Sequence, residues 1–359
     1  MNPADLANPL PTAPHAQTAS SISRTMLTVI VALVPATLYG FWLFGWPSFY
    51  LWLITVLSAM LGEAFGLRLS GQRALPVLRD GSAILTGWLL AVSLPPWAPW
   101  WIGVVGGLFS TLIAKQLFGG LGQNLFNPAM VARVFLLISF PVQMTAWIAV
   151  GTHLPGPHDG LLVTFGGAPQ LDAVSSASLL GHAKTEMSRG LDLLHSLAHA
   201  PGNSWLGARP GSLGETSALL IVLGGLALLL LRVITWQIPV AMLVGVALPA
   251  AIGHAADPAR YLDAWTHLIS GGVMLGAFFI ATDYVTSPNT PAGQLLFGFG
   301  CGFLTFVIRT WGGYPEGVAF AVLLMNALTP VIDRYVQPRV YGRDWRGNSL
   351  DPAVQKEIR

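Results

Sequence analysis

Residues 171–180 read LDAVSSASLL, a Ser-dense stretch around one carboxylate, Asp172, in a chain that is otherwise strongly apolar. Such a string is either a solvated loop between membrane spans or a covalent attachment point that uses one of the hydroxyls. A second string, GGLGQNLFNPAM (119–130), sets Asn124 and Asn127 beside Gly119, Gly120 and Gly122. An amide side chain donates and accepts at once, as an isoalloxazine or another amide-bearing heterocycle requires, and glycines let backbone approach a flat ring. The same string also reads as a tight re-entrant loop whose asparagines cap the helix opened by Pro128. TWGGYPEG (310–317) is a related Gly-rich break, with Gly312, Gly313 and Tyr314. Three acidic residues lie in or beside apolar runs, where charge is expensive: Glu63, Asp80 and Asp283. Each is either a cation ligand, using carboxylate, hydroxyl and freed carbonyl oxygens, or a structural group: a helix-end residue reaching interface water, or a partner for Arg79 or Arg24. Glu63 is the foremost candidate for transport, because it lies deepest.

The elements that position these residues are membrane helices. Of 359 residues, 53% are hydrophobic and 9% charged, against roughly 25% charged in a soluble domain. Repeated long apolar runs make this an all-α polytopic membrane protein. Ten spans are expected, near 25–45, 48–67, 81–97, 99–117, 128–150, 216–235, 238–256, 264–283, 292–309 and 317–335. The third ends in Leu94-Pro95-Pro96, which stops a helix. Lys and Arg collect on one side: Arg24, Arg68, Arg73, Arg79, Lys115, Arg232 and the C-terminal tail. Both termini are therefore expected in the cytoplasm and the connection 151–215 outside. Residues 1–24 read as a tail and not a signal peptide. A net charge of +2 without basic runs gives no sign of nucleic acid. The lone Cys301 excludes an intrachain disulfide and a cysteine-held cluster, and the eight histidines lack ligand spacing.

Two segments resemble each other. SAILTGWLLAVSLPP (82–96) with KQLFGGLGQNLFNPAMVARVFLL (115–137) parallels GVMLGAFFIATDYVTSP (272–288) with IRTWGGYPEGVAFAVLL (308–324). Five spans per half is an odd number, so the second half must sit inverted in the bilayer. Such folds place binding sites at broken helices, here one at each face. The expected organisation is a tail (1–24), a first five-helix repeat (25–150), a loop (151–215), a second repeat (216–335) and a tail (336–359).

DGSAILTGWLLAVSLPP, KQLFGGLGQNLFNPAM, LGAFFIATDYVTSP and GGYPEGVAFAVLLMNALTPVID resemble the D subunit of the Rnf ferredoxin:NAD oxidoreductase and, more distantly, the B subunit of the Na⁺-translocating NADH:quinone reductase. The resemblance runs from Ser23 to about Gly342. It implies a ten-span flavoprotein in the bacterial inner membrane, a subunit of an electron-transport complex that moves Na⁺ or H⁺. Partner subunits would carry the iron–sulfur clusters, further FMN and the NAD site, with no complete active site in this chain alone. It also implies FMN esterified through its phosphate, by a periplasmic flavin transferase, at the last position of Asp-x-x-Ser-x-Ala-Thr. The match here is Asp172, Ser175, Ala177 and Ser178, with Ser178 in place of the family Thr and Leu179 in place of the usual following Pro. A primary hydroxyl can form the same ester. The tethered ring would lie toward Gly312, Gly313 and Tyr314, and a second, non-covalent, riboflavin-like flavin would sit at Asn124 and Asn127. The competing class is a flavin-free secondary transporter, for which inverted repeats and broken helices suffice.

Overall fold

The computed structural model describes residues 21–148, 150, 154–166, 175–176, 178–188, 210–338 and 342. Asp172 and Ala177 lie outside the described residues, as do most of both tails. Among the described residues six helices are long and apolar enough to cross a membrane, and three shorter apolar helices join them. The first half runs α1 (Ile22–Phe44), α2 (Trp46–Leu69), a short α3 (Ala74–Leu78), α4 (Ser82–Ser93) and α5 (Trp100–Leu108). A π-helical turn (Phe109–Ile113) and a 3₁₀ turn (Gln116–Phe118) extend α5, and α6 (Pro128–Ser139) closes the half. The connection holds α7 (Pro141–Thr145), α8 (Pro157–Phe165) and α9 (Leu179–Ser188). Two-residue strands β1 (Trp147–Ile148) and β2 (Ser175–Ser176) pair antiparallel within it. The second half is α10 (Ala218–Leu230), α11 (Gln237–Ala256), α12 (Ala264–Ile269), α13 (Val273–Leu275) with a π-helical turn (Gly276–Ile280), α14 (Pro291–Trp311) and α15 (Val318–Tyr335).

Local chemistry sets the boundaries. Ser21, Asn127, Ser217, Asp263 and Thr290 each accept a backbone N–H from the first turn of the helix they open. Twelve-residue α4 is only about 18 Å long, so it ends inside the apolar layer. Two expected spans are shorter than the hydropathy suggests. The fifth ends at Ser139, because Phe140 leaves helical geometry (φ −133°) just before Pro141. The sixth begins at Ala218, and the preceding 210–217 is a buried non-helical segment and not open loop.

The halves share a packing scheme. In the first, α5 presents Gly103 and Gly107 to α2, where an added Cβ would meet Thr55 Oγ1 at 2.6 Å and Thr55 O at 2.7 Å. In the second, Gly298 and Gly302 of α14 face α11, where a Cβ at Gly298 would meet Ile238 O at 2.6 Å. Small residues four apart let backbones touch, which drives helix association where lipid offers no hydrophobic gain. The first helices of the two halves, α1 and α10, also pack on each other, and so do the fifth helices, α6 and α15. One face of the bundle carries the start of α1, the start of α4 and the ends of α10 and α15. The opposite face carries α8 and α9 and is called the loop face below.

Gly302→Leu should therefore separate α11 from α14 and cost at least the 1–3 kcal/mol typical of overpacking. Thermal aggregation of the detergent-extracted protein should shift clearly downward. Gly156→Ala, at a position with nothing within 4 Å of the added Cβ, should not move it.

Candidate functional site

A broken helix leaves up to four N–H and four C=O groups without intrahelical partners at each end. In this bundle those ends gather the charged side chains into two centres.

At the first centre Gly81, in the left-handed region (φ 81°), turns the chain into α4, and Asp80 Oδ1 accepts the Ser82 N–H at 2.7 Å. Lys115, at the end of the α5 extension, donates to both oxygens of Glu63 (2.7 and 2.8 Å) and to Ser82 Oγ (2.7 Å). Gln116 Nε2 adds a bond to Glu63 Oε1 at 3.1 Å. Glu63 and Lys115 are 0% and 1% exposed, so the carboxylate singled out in the sequence is a fully partnered buried ion pair. Asp80 is a helix-end group. Asp283 follows the α13 π turn and accepts from Val285 N (3.3 Å) and Thr286 Oγ1 (3.2 Å).

A cleft of about 720 Å³, part of it open to solvent, runs between these groups. Its walls include Thr25, Ser82, Lys115, Asn124, Asn127 and Asp283. The two asparagines differ. Asn127 caps α6, its Oδ1 accepting from Ala129 N (3.1 Å) and Met130 N (3.3 Å), while its Nδ2 donates to Ile280 O (3.4 Å) at the end of the α13 π turn. Asn124 Nδ2 donates to Phe126 O (3.0 Å), but its Oδ1 is buried and has no partner among the described residues. The capping reading therefore describes Asn127, and only Asn124 holds a free polar atom.

At the second centre, on the loop face, Gly271 (φ 66°) turns the chain toward α13, and Glu316 Oε1 accepts the Gly272 N–H at 3.0 Å. Arg133, from the middle of α6, bonds Ser93 O at the end of α4 and Glu316 Oε2 (2.8 Å), and lies 3.6 Å from Glu215 Oε1. Arg309 of α14 donates to His267 O (2.7 Å) and Ser270 O (2.8 Å) and stands 3.9 Å from Glu316. The buried segment 210–217 completes the α4 terminus, with Gly214 N donating to Val92 O (2.6 Å) and Leu213 N to Leu94 O (3.4 Å). Glu215 lies in this segment, outside the helices. Burial, reinforced by the neighbouring Glu316 and opposed by Arg133, raises its pKa to about 8.

Ser178 meets this centre. It lines a small cavity, open in part to solvent, with Trp147, Pro210, Glu215, Ser270, Gly271 and Glu316. It is also the residue before α9, and its Oγ accepts the Gly181 N–H at 3.1 Å. Helix α9 is fastened to the TWGGYPEG segment by Lys184 Nζ, which donates to the carbonyls of Gly312 and Tyr314 (3.0 Å to the latter). Burial lowers the Lys184 pKa. Of the predicted residues there, Gly312 and Tyr314 thus serve α9 through their carbonyls, and the Tyr314 ring stacks on Phe320 at 5.1 Å. Gly313 is exposed, and Ser175 contributes backbone pairing to Ile148.

Sequence reasoning did not single out Arg133, Glu215 or Arg309. An arginine inside an apolar helix was the available signal. Nothing local to Glu215 marks it as buried.

The chain matches the NQR2, RnfD, RnfE family over residues 10–342. It belongs to that family. It is 54% identical over 344 residues to the D subunit of the ion-translocating oxidoreductase complex of Stutzerimonas stutzeri, covering 93% of this chain and 96% of the relative. The corresponding D subunit of Halorhodospira halophila is 49% identical over 94% of this chain and 96% of its own length. For that of Rhodobacter capsulatus the figures are 53%, 82% and 84%.

The raised Glu215 pKa gives a signed pH dependence. A carboxyl whose folded pKa lies above its unfolded value, 4.5 here, stabilises the fold at low pH and loses that contribution as pH rises through about 8. The wild type's thermal stability should fall as pH rises from about 4.5 to about 8 and level off above that. Glu215→Gln, which still accepts from Ser212 N, should flatten that slope; an unchanged slope would assign the dependence to another group.

Proposed function

We propose that this chain is the flavin-bearing D subunit of an ion-translocating oxidoreductase complex, with FMN esterified to Ser178. The observation that carries the reading is the placement of Ser178. Its half-buried hydroxyl stands at the N-terminus of ten-residue α9, where it accepts the Gly181 N–H, and faces a cavity at the break between α12 and α13. A phosphate there meets the positive end of the helix dipole and the first-turn N–H groups. The nearby carboxylates would oppose an anion, but the raised Glu215 pKa keeps that group protonated at neutral pH, and Arg133 and Arg309 offset Glu316. The relatives are D subunits of an ion-translocating oxidoreductase complex, and similarity over 96% of their length supports the same place for this chain.

When bound, flavin supplies one- and two-electron transfer between partner redox centres. This chain's part is to hold, orient and dry the ring. Asn124 offers its unpartnered Oδ1 to a ring N–H in the cleft of the first centre, where a second, riboflavin-like flavin would lie. Lys115 and Asp283 line the same cleft, beside the buried Glu63. A change of charge there would alter cation affinity, and the converse holds by linkage. On this reading Glu63, Asp80 and Asp283 are the coupling candidates for Na⁺ or H⁺. The chain would lie in the bacterial inner membrane with the loop face toward the periplasm, where a flavin transferase reaches Ser178. Partner subunits would supply iron–sulfur clusters, further FMN and the NAD site. The broken, inverted halves also suit a flavin-free secondary transporter, which leaves Ser178 without a role.

Mass spectrometry of the peptide spanning 171–184 decides between them. The proposal expects FMN on Ser178, its loss from in-gel flavin fluorescence in Ser178→Ala, and its retention in Ser178→Thr. An unmodified peptide from the assembled complex would sink covalent attachment. Extractable riboflavin should fall in Asn124→Leu while the covalent signal stays; no extractable flavin in the wild type would favour the transporter.

A further inference from the structure

Beside the Ser178 cavity lies a second one, sharing only Leu180 with it. It is bounded by Ala183 and Lys184 of α9, by Arg260, Tyr261 and Leu262 ahead of α12, by His267, and by Arg309, Thr310 and Pro315. Three of these residues are cations, and no carboxylate lines the space among the described residues. Two of the buried side chains leave a nitrogen without a partner among the described residues: Arg309 Nε and His267 Nδ1. Arg309 is 6% and His267 4% exposed, so bulk water does not reach them freely. An unpaired buried N–H is costly, and natural structures keep few of them.

The surrounding charges leave the cations under-compensated. The nearest carboxylate, Glu316, is 3.9 Å from Arg309 but engages Arg133 at 2.8 Å and the Gly272 N–H at 3.0 Å. Asp263 caps α12 by accepting from Thr266 N, and Asp257 accepts from Ala259 N in an exposed turn. Neither Asp makes an ion pair among the described residues. The position is also suited to a membrane surface. Arg260 is exposed at the rim, Tyr261 meets Trp311 edge-on at 6.4 Å, and Trp311 and Trp265 are 62% and 37% exposed. Tyr and Trp at helix ends gather at the level of lipid headgroups.

We propose that this cavity is a phosphate-binding site, filled by the headgroup phosphate of an anionic phospholipid from the leaflet at the loop face or by a free phosphate anion. Arg309 Nε–H and His267 Nδ1–H donate from the inner wall, in the imidazole tautomer that protonates Nδ1. Arg260 and Lys184 neutralise the group from the rim. The site is distinct from the proposed flavin site: apart from Leu180 the described residues lining the two cavities differ, and its readout is bound lipid or phosphate.

The test uses the assembled complex, delipidated in detergent and then supplied with phosphatidylglycerol, phosphatidylcholine or inorganic phosphate. Bound phospholipid is counted by native mass spectrometry, and thermal stability is followed in parallel. Arg260→Ala removes the rim charge. His267→Phe removes the inner nitrogen while keeping a ring against Phe306, which the imidazole meets at 5.4 Å. If lipid fills the site, the wild type retains phosphatidylglycerol in preference to phosphatidylcholine, and both variants lose most of it. If free phosphate does, millimolar phosphate raises the wild-type melting temperature and neither variant responds. Equal lipid retention and equal phosphate response in all three proteins would overturn the proposal and leave water as the cavity's occupant.

Discussion

Backbone polar groups freed inside an apolar slab must find partners, and the rest of this structure follows from how two interrupted helices meet that demand. At the N-terminal end of α4 and ahead of α13, a left-handed glycine, Gly81 or Gly271, turns the chain, and a carboxylate takes a first free N–H. At their C-terminal ends Arg133 takes Ser93 O and Asn127 Nδ2 takes Ile280 O. Both of those side chains come from α6, which runs between the two breaks. An isolated charge would be prohibitive at such depth, so Lys115 pairs with Glu63 and Arg133 with Glu316, while Arg309 donates to the carbonyls of His267 and Ser270 with Glu316 3.9 Å away. Removing one partner from such a pair typically costs about 3–5 kcal/mol, because the other charge stays behind. The polar centres are thus structural requirements of the breaks before they are sites for any ligand.

This ordering explains what the sequence made legible. Apolar period, Pro95-Pro96 and the Lys/Arg pattern locate the membrane segments, because each is a local property. The similarity of 82–96 to 272–288 has a physical counterpart in the matched glycine contacts of α5 on α2 and α14 on α11. Ser178 was singled out by the family resemblance of its string, which on its own also reads as a solvated loop; in the fold it lines the cavity with Gly271 and Glu316. The pairing of Arg133 with Glu316 spans 183 positions, and no local pattern announces it. Nor does anything in SLGETS show that Glu215 is buried, since 210–217 lacks any apolar period and is held by backbone bonds to Val92 and Leu94. Glu63 was legible as unusual, but its partner Lys115 had been counted only as a charge at the membrane edge.

The two asparagines of GGLGQNLFNPAM show how a composition argument divides once geometry is known. Both amides suit a heterocycle equally well by type. Asn127 is engaged on both sides of its amide, by two N–H groups of α6 and by Ile280 O, and its own N–H meets Asn326 Oδ1 at 3.0 Å once that amide is turned to donate to Val322 O. A ligand would have to displace a helix cap and a link between the two fifth helices to use it. Asn124 keeps one acceptor buried and unmet among the described residues while lining the same cleft as Lys115 and Asp283. An incoming N–H there satisfies an atom that the fold has left without a partner, so binding gains a bond and breaks none. On the proposed reading, a heterocycle in this cleft would be recognised through Asn124, with Asn127 acting through the shape it gives the wall.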